Sequence, residues 1–297
     1  MQKPAFRSLL VLLGFLLGAC EKEVEGIRLP VSEAKLVVHC FISPQDDYLT
    51  VSVTRSLPVL GAGNPADTLV PDAAVTLSDG DRSVRLPYDK DQNAYAYYVQ
   101  AARQGDLRIR PETSYHLQVT TPRGETATAA CTVPAALQAS IMLSPDSARD
   151  ASSDRYYYRM RIIWPDLPNQ VNYYRVGGYA EIIVGQTADG RPTSIATVPA
   201  EWEAAEWVSD EDRDGGLLVS PRGNCHVNGW KPFISCSLYA SVLHTDVHYY
   251  RYHASVRRAG QSRANPFAEP VLVYSNVTGG LGVFGAYTRT TTSVRIN

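Results

Sequence analysis

After residue 17 the 297-residue sequence has no apolar run of the roughly 18 residues that a helix needs to cross a bilayer, which excludes a helical span from the remainder. Strong charge of either sign is lacking too. Its 28 basic and 30 acidic side chains give a formal net charge of −2, and nothing in that balance supplies the clustered positive charge that a phosphate backbone requires. No nucleic-acid partner is therefore expected. Catalytic signatures are missing as well: there is no G-x-S-x-G elbow, no H-E-x-x-H pair and no phosphate-cradling G-x-x-x-x-G-K. The expectation is a protein that is not an enzyme. Whether acid pairs such as Glu201 with Glu203 could serve a hydrolase depends on their separation in space. Phenylalanine is scarce, at 6 against 18 tyrosines, so most aromatic surface carries a polar tip.

What is present begins with an address. Lys3 and Arg7 give a positive start, Leu9 to Leu17 form an apolar run broken only by Gly14, and Leu16-Leu17-Gly18-Ala19 lead directly into Cys20. The run is short for a span and reads as a secretory leader over residues 1–19. Small residues followed by cysteine make it a lipoprotein leader, and the Cys20 thiol can carry a thioether-linked lipid. Each buried CH₂ contributes about 0.8 kcal/mol, so several acyl chains on Cys20 would anchor the chain durably where one would not. Residues 20–34, acidic at Glu21, Glu23 and Glu25, read as the lipidated cysteine and a tether. Cleavage leaves 278 residues, and the loss of Lys3 and Arg7 leaves 26 basic against 30 acidic side chains. The expected membrane attachment is the lipid alone, with no other cofactor.

Four further cysteines remain: Cys40, Cys131, Cys225 and Cys236. In an exported chain an even count favours disulfides. Pairing Cys40 with Cys131 and Cys225 with Cys236 keeps each bond inside one proposed domain, and the second closes a short loop worth about 3 kcal/mol.

From Lys35 to Pro134, short alternating or apolar runs separated by turn residues predict seven strands: Leu36 to Ile42, Leu49 to Arg55, Ala74 to Ser78, Ser83 to Leu86, Ala94 to Val99, Ser114 to Thr120 and Glu125 to Val133. Asp79-Gly80 marks a hairpin turn. That count over residues 35–134 suits an immunoglobulin-like β-sandwich. Residues 135–297 predict a second β-rich domain, with strands at Tyr156 to Trp164, Tyr173 to Val184, Thr193 to Val198, Glu206 to Ser209, Ser235 to Leu243, Val271 to Ser275 and Leu281 to Tyr287. One helix is expected over 246–259, because Thr245 can cap, Val247, Tyr250 and Ala254 recur at helical spacing, and Arg257, Arg258 and Gly260 form a basic last turn and a stop. The fold class expected is thus all-β, with one helix.

Few clusters offer chemistry. Asp210, Asp212, Asp214 and Gly215 spell the first half of a calcium loop, but Pro221 stands where a bidentate Glu should close it. A solvated acidic turn is the plainer reading, and calcium there would be a weak structural site. Cys225, His226, Cys236, His244 and His248 invite zinc, yet their spacing is not that of a finger and a disulfide would consume both thiolates. His39, His116 and His253 stand alone. Tyrosines bunch at Tyr95, Tyr97 and Tyr98, at Tyr156 to Tyr158, at Tyr173 and Tyr174, and at Tyr249, Tyr250 and Tyr252; with Trp202 and Trp207 they are the candidate contact residues, although half-exposed strands use the same residues.

The C-terminal run Asn265-Pro266-Phe267-Ala268-Glu269-Pro270, the stretch to Val277 and Gly279-Gly280-Leu281-Gly282-Val283-Phe284 resemble the end of the DUF4249 family of Bacteroidota lipoproteins. Lys35-Leu36-Val37-Val38, Ala74 to Gly80 and Pro111-Glu112-Thr113 with Tyr115 resemble it in the expected order. The resemblance implies an outer-membrane lipoprotein of unassigned activity, often encoded beside TonB-dependent receptors, and supplies no catalytic residues; the acidic run directly behind Cys20 separately resembles a surface-export signal and points to exposure at the cell surface, with a TonB-dependent receptor as the partner to expect. The expected function is that of a non-enzymatic accessory or ligand-binding partner. A structural or adhesive envelope protein is the alternative, and a glycan or peptide hydrolase stands behind both.

Overall fold

The computed structural model describes residues 33–57, 68–99, 106–137, 140–150, 155–211, 213–227, 233–263, 269 and 271–296. The leader, Cys20 and the tether as far as residue 32 lie outside the described residues, as do Asp212, residues 264–268 and Pro270.

In the first part of the chain, β1 (Leu36–Ile42), β2 (Tyr48–Arg55), β3 (Ala74–Ser78), β4 (Ser83–Leu86), β5 (Tyr88–Asp89), β6 (Ala94–Tyr98), β7 (Ser114–Thr120) and β8 (Thr126–Thr132) follow the period-two pattern of their sequences. In β1, Leu36, Val38, Cys40 and Ile42 point inward while the residues between them do not. Each aliphatic side chain so buried contributes about 2 kcal/mol, and shifting the register by one residue would expose all of them. One core joins these strands. A sheet ordered β4-β3-β7-β8 lies on one side and β1, β2, β6 and β5 on the other, so the sandwich-like all-β class expected from the sequence is observed. Tyr115 is fully buried; its hydroxyl donates to Arg108 O (2.8 Å) and accepts from Arg110 N (2.8 Å), in the manner of the tyrosine corner of immunoglobulin-like sandwiches.

The second part contains β9 (Met142–Asp150), β10 (Arg155–Pro165), β11 (Tyr173–Gln186), β12 (Pro192–Pro199), β13 (Glu201–Trp202), β14 (Trp207–Ser209), β15 (Leu217–Val219), β16 (Gly223–His226), β17 (Ser235–Thr245), α1 (Val247–Arg263) and β18 (Leu281–Arg295). A second core, including Met160, Ile162, Trp164, Tyr174 and Leu238, lies between the β13-β16-β10-β15 sheet and the strands β11, β12 and β17. The two cores share a sheet. Its order is β12-β11-β17-β18-β1-β2-β6-β5, and β18 joins the halves: Leu281 to Ala286 run parallel to β1, and Tyr287 to Arg295 run antiparallel to β17. Ala34–Asn297 accordingly clusters as one unit, with the sheet crossing the position of the expected boundary at residue 134.

Three expectations need correction. Residues 271–277 form no strand: Leu272 is 90% exposed, and this stretch reaches β18 through the Asn276 side chain. The Asn276 amide nitrogen donates to Phe284 O (2.8 Å) and Ala130 O (3.1 Å), and its oxygen accepts from Phe284 N (3.0 Å). An Asn276→Ala chain should therefore lose about 2–3 kcal/mol in urea unfolding, since it leaves strand groups unpaired beneath the segment. A loss below about 0.5 kcal/mol would show that water replaces the clamp. Second, the helix is capped by Asp246, whose Oδ1 accepts from Tyr249 N (2.7 Å), rather than by Thr245, whose hydroxyl instead donates to Tyr173 O (3.2 Å). It also runs past Gly260, which has open space around it and normal backbone angles, to Arg263. Third, the structure holds Cys40, Cys131, Cys225 and Cys236 as buried thiols rather than in the two expected bonds. Burial pushes the Cys225 thiol up to about 12 and Cys236 to about 11, with Cys40 and Cys131 also raised, so little of the thiolate that exchange with an oxidised disulfide requires is present in the folded chain.

Candidate functional site

Most tyrosines singled out from the sequence support the fold. Tyr95, Tyr158 and Tyr174 are buried in the two cores. Tyr249, Tyr250 and Tyr252 fasten α1 to the sheet: Tyr249 meets Phe41 edge-on at 4.8 Å, Tyr250 lies against Tyr173 at 4.6 Å, and Tyr252 bonds His39 Nε2 at 2.9 Å. Trp207 stacks on His253 at 5.3 Å, and Trp202 packs over Gly223. Tyr98 is exposed on β6 beside Tyr48. Sequence reasoning missed a different pair.

That pair stands on the outer face of β11, β17 and β18, where register places Tyr179 opposite Tyr239 and Gly177 opposite Ser241, with Thr291 of β18 also opposite Ser241. The Tyr179 and Tyr239 rings are stacked, with centroids 4.9 Å apart and planes at 9°. Next to them the row of small residues leaves a groove of about 420 Å³, lined by Gly178, Tyr179, Tyr239, Ser241, Arg289 and Thr291 among others. A β-carbon at Gly177 would come within 2.9 Å of Ser241 Oγ, so glycine keeps the floor low. Two glycines inside a long strand were the signal available in the sequence. The face alternates strictly, and the opposite side of β11 supplies Tyr174, Val176 and Ala180 to the core. The groove floor is therefore held by ladder bonds on rigid strands.

Its charge is balanced. Arg289 Nη2 bonds Asp46 Oδ1 (3.0 Å) and the Tyr287 hydroxyl (2.9 Å), while that hydroxyl donates to Asp46 Oδ2 (2.7 Å). In the neighbouring row, Arg175 donates to Glu206 Oε1 (2.9 Å) and to the Tyr249 hydroxyl (3.1 Å), with its guanidinium over Trp207. By contrast, the hydroxyls of Ser241, Thr291 and Tyr179 have no hydrogen-bond partner among the described residues. The groove thus offers aromatic surface and uncommitted hydroxyls, with its positive charge compensated.

The acidic loop is assembled differently from the sequence pattern. Asp210 and Asp214 come together with Asp166, which the spacing did not point to, and carboxylate oxygens of all three lie within 4.8 Å of one another. Asp212 lies outside the described residues. The turn is solvated only in part: Asp214 is exposed, while Asp210 at its start and Asp166 beside it are buried. Asp166 accepts from the Tyr174 hydroxyl (2.7 Å), Asn172 Nδ2 (3.2 Å) and Gly215 N (2.8 Å). Asp210 accepts from Asn172 N (2.8 Å) and Nδ2 (2.9 Å), and Asp214 from Asn169 N (2.8 Å). Among the described residues these three are the ones that could share a cation, and the donors around them account for their placement without one. The cysteines and histidines considered for zinc do not converge: Cys225 points inward and His226 outward beside Glu201, while His244 bonds Ala135 O and His248 bonds the Tyr274 hydroxyl. Glu201 and Glu203 lie at the surface, Glu203 beside Arg222.

The model of a family described as "Domain of unknown function (DUF4249)" matches residues 24–293. No curated protein matches the chain.

Proposed function

We propose, on the premise that this chain belongs to the DUF4249 family, that it is a non-enzymatic, ligand-capturing lipoprotein of the outer-membrane surface that serves a TonB-dependent transporter. The observation that carries the reading is the groove on the β11-β17-β18 face, where rings and uncommitted hydroxyls are presented on a rigid sheet. Such a surface recognises a ligand without needing to turn it over. The anchor comes from the Leu-Gly-Ala-Cys arrangement at Cys20, and the Bacteroidota origin and the transporter come from what the family resemblance implies. No helix among the described residues is long and apolar enough to cross a membrane.

The test is detergent purification of the native lipoprotein at its natural expression level, with identification of what co-purifies. A TonB-dependent receptor in stoichiometric amount is expected, and a chain that purifies alone refutes the partnership. The same preparation reads the anchor by mass: an amino terminus without acyl groups, or one that begins elsewhere than Cys20, refutes the anchor.

A second reading, adhesion to other envelope molecules, is favoured by the exposed apolar run Val271, Leu272 and Val273. It predicts a surface protein other than a transporter in the same purification.

A further inference from the structure

Resting on the reading of the β11-β17-β18 groove as a ligand site, the geometry points to an uncharged oligosaccharide as its ligand. A sugar ring has two chemically distinct surfaces: a face of C–H bonds, slightly positive, and a rim of hydroxyls. The groove matches both. The stacked Tyr179 and Tyr239 rings, the first 36% exposed, present a π-face of negative character to C–H groups. Beside them Ser241 and Thr291 supply hydroxyls that can each donate and accept, as sugar hydroxyls do.

Charge argues for a neutral ligand. The cation that lines the groove, Arg289, is already matched by Asp46, and Glu181 across the tyrosine pair accepts from the Tyr239 hydroxyl (3.4 Å). An anionic ligand would have to compete with Asp46 for the guanidinium. A purely apolar ligand would strip water from Ser241 and Thr291 without replacing their hydrogen bonds, which is costly. The groove's roughly 420 Å³ falls within the 300–1,000 Å³ typical of small-ligand sites.

The experiment uses the full lipoprotein in detergent, titrated calorimetrically with a panel of neutral oligosaccharides (α-glucan, β-glucan, xylan and mannan fragments) and with oligogalacturonate as the charged comparison. At least one neutral member should bind saturably and oligogalacturonate should not. Tyr179→Ala, which removes the exposed ring, should weaken binding by about tenfold or more. Thr291→Trp, which fills the groove from an exposed strand position, should abolish it. Both positions face solvent, so unchanged thermal midpoints will establish that the variants are folded. The assignment is overturned if no neutral oligosaccharide binds, if the charged one binds better, or if neither substitution alters the affinity. Should the lipoprotein co-purify with a transporter yet bind no sugar, the carbohydrate assignment falls while the capture reading stands.

Discussion

A Gly282→Ala chain is expected to lose at least about 4 kcal/mol of stability, a large share of the roughly 5–15 kcal/mol that folded domains possess. Gly282 sits at φ +115° in the parallel half of β18, directly opposite Val38. Two costs coincide there. An L side chain rarely adopts that backbone conformation, which alone costs on the order of 1–3 kcal/mol. In addition, a β-carbon would overlap the carbonyl oxygen of Val38, and that atom cannot move without opening the β1–β18 ladder. Since β18 joins the two halves of the long sheet, the lost pairing would reach both cores. Gly80→Ala provides the control. Gly80 also has positive φ, at +95°, but a β-carbon there meets nothing within 4 Å, so only the conformational cost should appear. Guanidinium unfolding of both variants separates the terms, and equal losses for Gly80→Ala and Gly282→Ala would show that the overlap with Val38 is relieved by a backbone shift.

Gly282 also shows what could be read from the chain alone. The glycine-rich run before it was legible as a reversal, and Gly279, at φ +78°, does turn the chain there. The strand that follows was read as ending at Tyr287, although it continues to Arg295. Its first half is buried on both sides, by the core beneath and by α1 above, and reads as an apolar run. Its second half, Thr288 to Val294, alternates threonine and other polar residues against a solvated face, a pattern indistinguishable from loop until β17 lies beside it. Local alternation therefore revealed β1, β2, β3 and β7, whose faces are set by near neighbours, while β9, with Pro145 inside it, and the short β13, β15 and β16 have no such signal. The groove depends on the register of three strands far apart in sequence. Tyr179 and Tyr239 meet only because β11 and β17 pair at that register, and no spacing rule along the chain encodes it. Asp166 joined Asp210 and Asp214 for the same reason.

Under α1, opposite pH dependences should be found superposed in one place, and single substitutions should unmask each. Asp246 caps the helix through Oδ1, but its Oδ2 is buried without a partner among the described residues, and burial pushes the carboxyl from 3.8 up to about 7. The folded chain therefore holds a proton that the unfolded chain releases near 3.8. This contribution is complete below about pH 4, declines as pH rises, and is gone above about 7; at about 1.4 kcal/mol per unit it amounts to about 4 kcal/mol. His253 acts the other way. Stacked against Phe41 and Trp207, with Nε2 buried and without a partner among the described residues and Arg175 nearby, it is pushed by burial from 6.5 down to about 4. Its contribution is complete above about 6.5 and is lost as pH falls to about 4, a change of about 3 kcal/mol. His39, His244 and His248, lowered by the same cause, add to the loss in acid. Between pH 4 and 6.5 the carboxyl and the imidazoles oppose one another, so the native chain's stability should vary less than either part would dictate. Asp246→Asn keeps a good cap and does not titrate, so it should be more stable than the native chain at pH 8 relative to pH 4, by up to about 4 kcal/mol. His253→Phe should reduce the loss in acid by up to about 3 kcal/mol, leaving the Asp246 slope exposed. Urea midpoints measured from pH 4 to 8 decide the matter, and profiles of either variant that run parallel to the native one would mean that the corresponding group titrates alike in the folded and unfolded chains.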